Sequence, residues 1–135
     1  DFKLYGQQVA KNAKVLAEEL SNRGFDIVTG GTDTHLLVVD MNSKKISGRE
    51  AERALGLAGI TVNKNTIPFD PRSPFDPSGV RLGTPALTTR GMKEQEMKQI
   101  ASWIEDAIAH NDDEAYLTSL HKQITDFTKD FPLPQ

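Results

Sequence analysis

One arginine stands in an otherwise apolar strand. Val80 and Leu82 share one face of that strand by simple alternation, so Arg81 between them points to the other face, away from the core. A guanidinium is strongly hydrated and costly to bury without a partner. It is also the natural two-pronged partner of a carboxylate. Arg81 is therefore either a clamp for a carboxylate ligand or half of a structural ion pair with Asp70 or Asp76, and the residues alone favour neither. Residues 63–79, just upstream, show no periodicity and hold four of the seven prolines, Pro68, Pro71, Pro74 and Pro77. A structureless stretch of that length in a compact domain is usually functional or disordered. Ile67, Phe69 and Phe75 argue against disorder, and Lys64 and Arg72 balance Asp70 and Asp76. The reading is an ordered loop that packs on something. The three-residue proline spacing also resembles a polyproline II ligand, but the aspartates and flanking strands make that a poor fit.

The remaining chemistry-bearing residues are sparse. His35 opens an apolar strand, where a lone histidine is more often hydrogen-bonded structure than a base. His110 and His121 make no metal pattern. Gly30-Gly31 lacks the rest of a dinucleotide fingerprint, and neither a phosphate-binding lysine loop nor a nucleophile elbow occurs. There is no cysteine, which excludes disulfides, thiolate metal sites and cysteine nucleophiles and is compatible with a reducing compartment. The bare residues show half of a site, a carboxylate clamp without a reactive group. The 16 basic residues against 19 acidic ones argue against a nucleic-acid binder. The longest strongly apolar run, residues 36–39, is far too short to span a bilayer.

The elements that must position these groups follow from periodicity. Tyr5, Val9, Ala13, Leu16 and Leu20 mark one face of a helix over residues 3–20. Residues 26–29 and 35–40 read as two strands, the second buried on both faces, paired antiparallel through a short turn. Ser47 and Glu50 have capping-box spacing for a helix that turns Ala51, Ala54, Leu55 and Ala58 inward and stops at Gly59. Residues 60–62 are a third short strand candidate and residues 80–83 a fourth. A long helix is expected from about residues 89–91, with Met97, Ile100, Ile104 and Ala107 inward. A last one follows Asn111-Asp112, with Leu117, Leu120, Ile124 and Phe127 inward. The expected fold is α+β, a small antiparallel sheet with helices packed on one face, in one domain over residues 1–135. The opening at Asp1, already helical by Lys3, reads as a domain excised from a longer parent.

Three stretches together add a family resemblance. They are Thr-Gly-Gly-Thr-Asp-Thr-His at 29–35, Thr-Val-Asn-Lys-Asn-Thr-Ile-Pro-Phe-Asp-Pro-Arg-Ser-Pro-Phe at 61–75, and Ser-Gly-Val-Arg-Leu-Gly-Thr-Pro-Ala-Leu-Thr-Thr-Arg-Gly at 78–91. In order and over essentially the whole chain, this resembles the C-terminal part of the serine hydroxymethyltransferases. The resemblance implies the small C-terminal domain of a pyridoxal-phosphate enzyme of the aspartate-aminotransferase fold type (fold type I). Such enzymes interconvert serine and glycine with tetrahydrofolate as one-carbon carrier and are dimers at least, and for this chain's parent the resemblance implies a cytoplasmic homodimer. By the same resemblance Arg81 binds the substrate carboxylate. Asn65 and the Ser73-Pro74-Phe75 stretch belong to the folate pocket, and His35 is structural. The family's Schiff-base lysine motif is missing, and Lys64, the tempting substitute, has neighbours that match the folate loop instead. The implied fragment supplies a clamp and a wall of the pocket and is not catalytic alone, with no metal, nucleic acid or membrane in its function. Two rivals remain from other classes: an amino-acid-sensing regulatory module and a purely structural dimerisation domain.

Overall fold

The computed structural model describes residues 2–28, 36–83 and 91–131. Helix α1 (Phe2–Asn22) leads into strand β1 (Asp26–Ile27). Strand β2 (Leu36–Asp40) runs straight into a 3₁₀ turn (Met41–Lys44), and helix α2 (Gly48–Leu57) follows. Strands β3 (Asn63–Asn65) and β4 (Gly79–Gly83) flank the proline-rich stretch. Helices α3 (Glu94–Ala109) and α4 (Glu114–Thr128) close the chain. The four strands form one sheet in the order β1-β2-β4-β3, antiparallel throughout. The expected α+β sandwich is what forms.

Alternation sorts the sheet into two faces. Leu37, Val39, Val80 and Leu82 are buried against the helices, while Val38 is half-buried and Arg81 exposed. This corrects the reading of β2 as buried on both faces. The described helices cover one side only, which an antiparallel sheet tolerates. Helix α1 lays Ala13, Leu16 and Leu20 on this core, whereas Tyr5, expected on the same stripe, remains 37% exposed. The expected inward residues of α2 are all fully buried. Its capping box is complete, with Glu50 N–H donating to Ser47 Oγ at 3.1 Å and Ser47 N–H donating to Glu50 Oε1 at 3.4 Å.

Residues 60–62 form no strand, and pairing starts later, at Asn63. Two hydrogen bonds explain the shift. Gly59 N–H donates to Gly56 O at 3.0 Å and Ile60 N–H to Leu55 O at 2.7 Å, the pattern that closes a helix C-terminus. Ile60 is thus spent on ending α2. Gly59 sits at φ 88, a backbone conformation that glycine adopts without strain. Helix α3 likewise starts later than expected. Gly91 has φ 85, which is not helical, and the turn begins behind a bond from Lys93 N–H to Glu96 Oε1 at 2.7 Å. Helix α4 starts two residues past Asp112, capped by Asp113 Oδ1, which accepts from Tyr116 N–H at 3.0 Å. The turn at 30–33, His35 and the Thr84-Pro85 break lie outside the described residues.

Candidate carboxylate and folate site

Strand register decides what shares a face with Arg81. Directly paired residues of an antiparallel ladder project to the same side. Arg81 is paired with Val38 of β2 and Asn63 of β3, and Asn65 pairs with Gly79 one ladder step away. Arg81, Asn63 and Asn65 therefore all lie on the open face of the sheet. Lys64, between the two asparagines, falls on the helix side with Val80, and its Nζ stands 3.9 Å from Glu52 Oε1 of α2. Lys64 N–H donates to Glu52 Oε2 at 2.9 Å as well. Arg81 forms no ion pair with a carboxylate among the described residues.

The structural alternative for Arg81 is an ion pair with Asp70 or Asp76. Asp70 is otherwise engaged. Its Oδ1 accepts from Ser78 Oγ at 2.6 Å and Arg72 N–H at 2.8 Å. Its Oδ2 accepts from Ser78 N–H at 3.0 Å and Ile67 N–H at 3.3 Å. Partial burial pushes this carboxyl up, but the hydrogen bonds from Ser78, Arg72 and Ile67 outweigh it and hold the pKa at about 2, below the usual 3.8. Asp76 Oδ1 is buried with no hydrogen-bond partner.

The proline-rich stretch takes a hydrogen-bonded shape, but not over its expected length, and Phe69 and Phe75, expected to pack, are exposed instead. Residues 63–65 are edge strand, and the loop proper is 66–78. It turns at Pro68 and Phe69, where Phe69 takes φ 55 and is fully exposed. Its second limb carries Ser73, Pro74 and Phe75 at the surface, with Phe75 84% exposed. Ser73 Oγ accepts from Phe75 N–H at 3.1 Å, and Ser73 O from Asp76 N–H at 2.9 Å, so this limb is a closed turn. Asn65 is half-buried and its Nδ2 donates to Thr66 O at 2.7 Å. The structure thus brings Arg81 and Asn65 to one face and presents Ser73, Pro74 and Phe75 on the loop that joins their strands.

The polar ring behind this loop is not visible in the sequence. Asn42, in the turn after β2, donates through Nδ2 to Ser78 Oγ at 2.9 Å and accepts at Oδ1 from Arg72 Nε at 2.9 Å. Its own N–H donates to Asp40 Oδ1 at 2.9 Å. The nearest sequence signal is Asp70 two residues before Arg72, the spacing of an aspartate that bonds the backbone ahead of it. An apolar cavity of about 310 Å³, lined in part by Leu16, Ile60, Met92, Trp103 and Phe127, lies on the helix side of the sheet and has no titratable residue in its described lining. It is remote from Arg81's face and offers no acid, base or anion clamp. Among the described residues no cluster of histidine and carboxylates could hold a metal, and no helix is long and apolar enough to cross a membrane.

The chain thus presents an exposed arginine on an open sheet face beside a loop held by directed hydrogen bonds, and comparison with known proteins places the chain in a family. The sequence profile of the family described as serine hydroxymethyltransferase matches residues 1–104. The chain belongs to that family. It is 56% identical over 133 residues to the serine hydroxymethyltransferase of Acidobacterium capsulatum, covering 98% of the chain and 31% of that relative. It is 54% identical over 132 residues to that of Koribacter versatilis, with 98% and 31% covered. Against that of Acidothermus cellulolyticus it is 52% identical over 140 residues, with 99% and 33% covered. The chain thus spans about a third of the length of the curated relatives it matches.

Proposed function

We propose that this chain is the C-terminal domain of a pyridoxal-phosphate-dependent enzyme that interconverts serine and glycine, with tetrahydrofolate as the one-carbon carrier. The observation that carries the reading is Arg81, exposed on the open sheet face with no carboxylate partner among the described residues. Its guanidinium supplies the planar fork that a free amino acid's carboxylate requires. Asn65 shares that face and offers an amide to a polar heterocycle. Ser73, Pro74 and Phe75 form the outer wall, and the exposed Phe75 ring gives folate an apolar surface to lie against. The domain is read as the small one of a fold-type I enzyme, working in the cytoplasm as a homodimer, independent of nucleic acid and membrane.

The residues beside Arg81 do not fit the cofactor, which needs a lysine to form a Schiff base: the one lysine on the described strands, Lys64, lies on the far side of the sheet from Arg81. The chain supplies binding and orientation, and the cofactor chemistry belongs to the rest of the protein. A regulatory module that senses an amino acid accounts for Arg81, but it gives no reason to keep the ordered loop.

The test is Arg81→Lys in the complete enzyme that carries this chain. Lysine keeps the charge and loses the fork. Glycine and serine binding should weaken by at least about 30-fold, about 2 kcal/mol, at the low end for truncating a hydrogen-bonded charge pair. Unchanged glycine affinity would reduce Arg81 to a surface residue and remove the proposal's main support.

A further inference from the structure

We infer that Asp70 is a positioning residue, whose carboxylate fixes where β4 begins and so sets Arg81 and the Ser73–Phe75 limb relative to each other; this rests on the reading of Arg81 given above.

The geometry is specific. Asp70 spends both oxygens on four donors, two from Ser78 and one each from Arg72 and Ile67. These donors lie on both sides of it in the loop, so one carboxylate ties the outgoing limb, the corner and the return limb together. Ser78 is fully buried and is the last residue before β4. Its neighbourhood is pinned from the other side too. Met41 N–H donates to Ser78 O at 2.8 Å, and Gly48 N–H donates to Pro77 O at 2.6 Å. Asn42 bridges Ser78 Oγ to Arg72 Nε and so brings the turn after β2 into the same ring. Arg81 is three residues beyond Ser78 in a strand only five residues long. A displaced Ser78 therefore carries Arg81 with it, while Ser73 to Phe75 hang from the same ring by way of Arg72. Asp70 itself donates nothing to the open face and has no lone pair left that the hydrogen bonds do not occupy or crowd. It acts on the ligands only through Ser78 and Arg72.

Asparagine is the sharpest substitution, because it keeps the shape of aspartate. It replaces one acceptor oxygen with an NH₂ that must face donors. The clamp should loosen without a cavity being made. In the complete enzyme, Asp70→Asn should raise KM for serine and for tetrahydrofolate together, each by at least about tenfold, since a misplacement of about 1 Å can cost about a hundredfold. The value of kcat at saturation should stay within about threefold, because Asp70 touches no reacting atom. The cofactor absorbance should be unchanged. Arg81→Lys, run beside it, separates the two readings. If Arg81→Lys weakens glycine binding while Asp70→Asn leaves both KM values at wild type, the positioning role is wrong and the clamp stands. A lowered melting temperature with unchanged KM also overturns the positioning role, since Asp70 would then be structural only. If Arg81→Lys has no effect, the clamp is wrong and the positioning role falls with it. Should Asp70→Asn fail to fold, Ser78→Ala removes one hydroxyl from the ring, and the same KM-against-kcat criterion decides.

Discussion

The helical layer and the 66–78 loop are held by different physics. Under α1, α3 and α4 the contacts are apolar except at buried Asn12, whose Nδ2 donates to Met92 O at 3.0 Å, and they are shared among many side chains, Leu16, Leu20, Met97, Ile104 and Leu117 among them, all nearly inaccessible. Such contacts are non-directional and tolerate small shifts. The loop has the opposite character. Its large apolar residues Phe69 and Phe75 face outward, and one carboxylate with its neighbours holds its shape by directed bonds. The helical layer keeps the domain folded, and the polar ring keeps one short segment in one place. Damage to one region should be read out separately from damage to the other.

The largest effect should come from the layer. Leu20→Ala removes a fully buried side chain and should cost about 2–5 kcal/mol in urea unfolding. A loss under about 1 kcal/mol would mean that the layer is not the source of stability. Gly48→Ala strikes where the two regions meet. A Cβ at Gly48 would lie 2.1 Å from Gly79 O and 2.8 Å from Pro77 O, both backbone atoms that cannot swing aside. The expected cost is about 1–3 kcal/mol, as for overpacking. It should be accompanied by displaced amide chemical shifts at residues 77–81, which Leu20→Ala should leave in place.

Acid should sharpen the comparison further. The Asp70 carboxyl titrates at about 2 when folded, against 3.8 for an ordinary aspartate. A depressed folded pKa means that its contribution is complete above the ordinary value and disappears as pH falls through about 2. Hydrogen exchange at the Ile67, Arg72 and Ser78 amides should therefore accelerate relative to the intrinsic rate across that window. The β2 amides of Leu37 and Val39 should not share this trend. Parallel behaviour of the two sets would show the loop and sheet opening as one unit. The smallest effect belongs to Phe75→Ser. An 84% exposed ring should contribute within about 0.5 kcal/mol of nothing to unfolding. The same change should weaken tetrahydrofolate binding in the complete enzyme, and unaltered folate affinity would remove Phe75 from the pocket wall.

What is legible in the sequence is whatever depends on near neighbours along the chain. The capping box at Ser47 and Glu50, the inward alanines of α2 and the outward Arg81 each need only a spacing of two to four residues. The ring around Asp70 needs Asn42 and Ser78, 36 positions apart in sequence, to meet, and no local pattern records such a meeting. The third strand lies downstream of its expected place for a related reason. Ile60 has the β-branched look of a strand residue, yet its backbone is committed to ending α2. The family motifs imply, in the proposed reading, a carboxylate-binding role for Arg81 that alternation alone leaves balanced against an ion pair. The geometry shows Asp70 occupied elsewhere, which weighs on the same question independently of any motif.

The sheet's outer strands have a consequence for how this protein behaves at high concentration. Strand β1 is two residues long and β3 is three, Asn-Lys-Asn. An unpaired strand edge is a template on which another chain can add, and short, polar, charged edges are how natural sheets refuse it. The longer and more apolar β2 and β4 both lie in the interior of the order, each with neighbours on both sides. The segments best suited to cross-β stacking are therefore paired with each other along their whole length, and the described outer strands give the sheet a brief and hydrophilic rim.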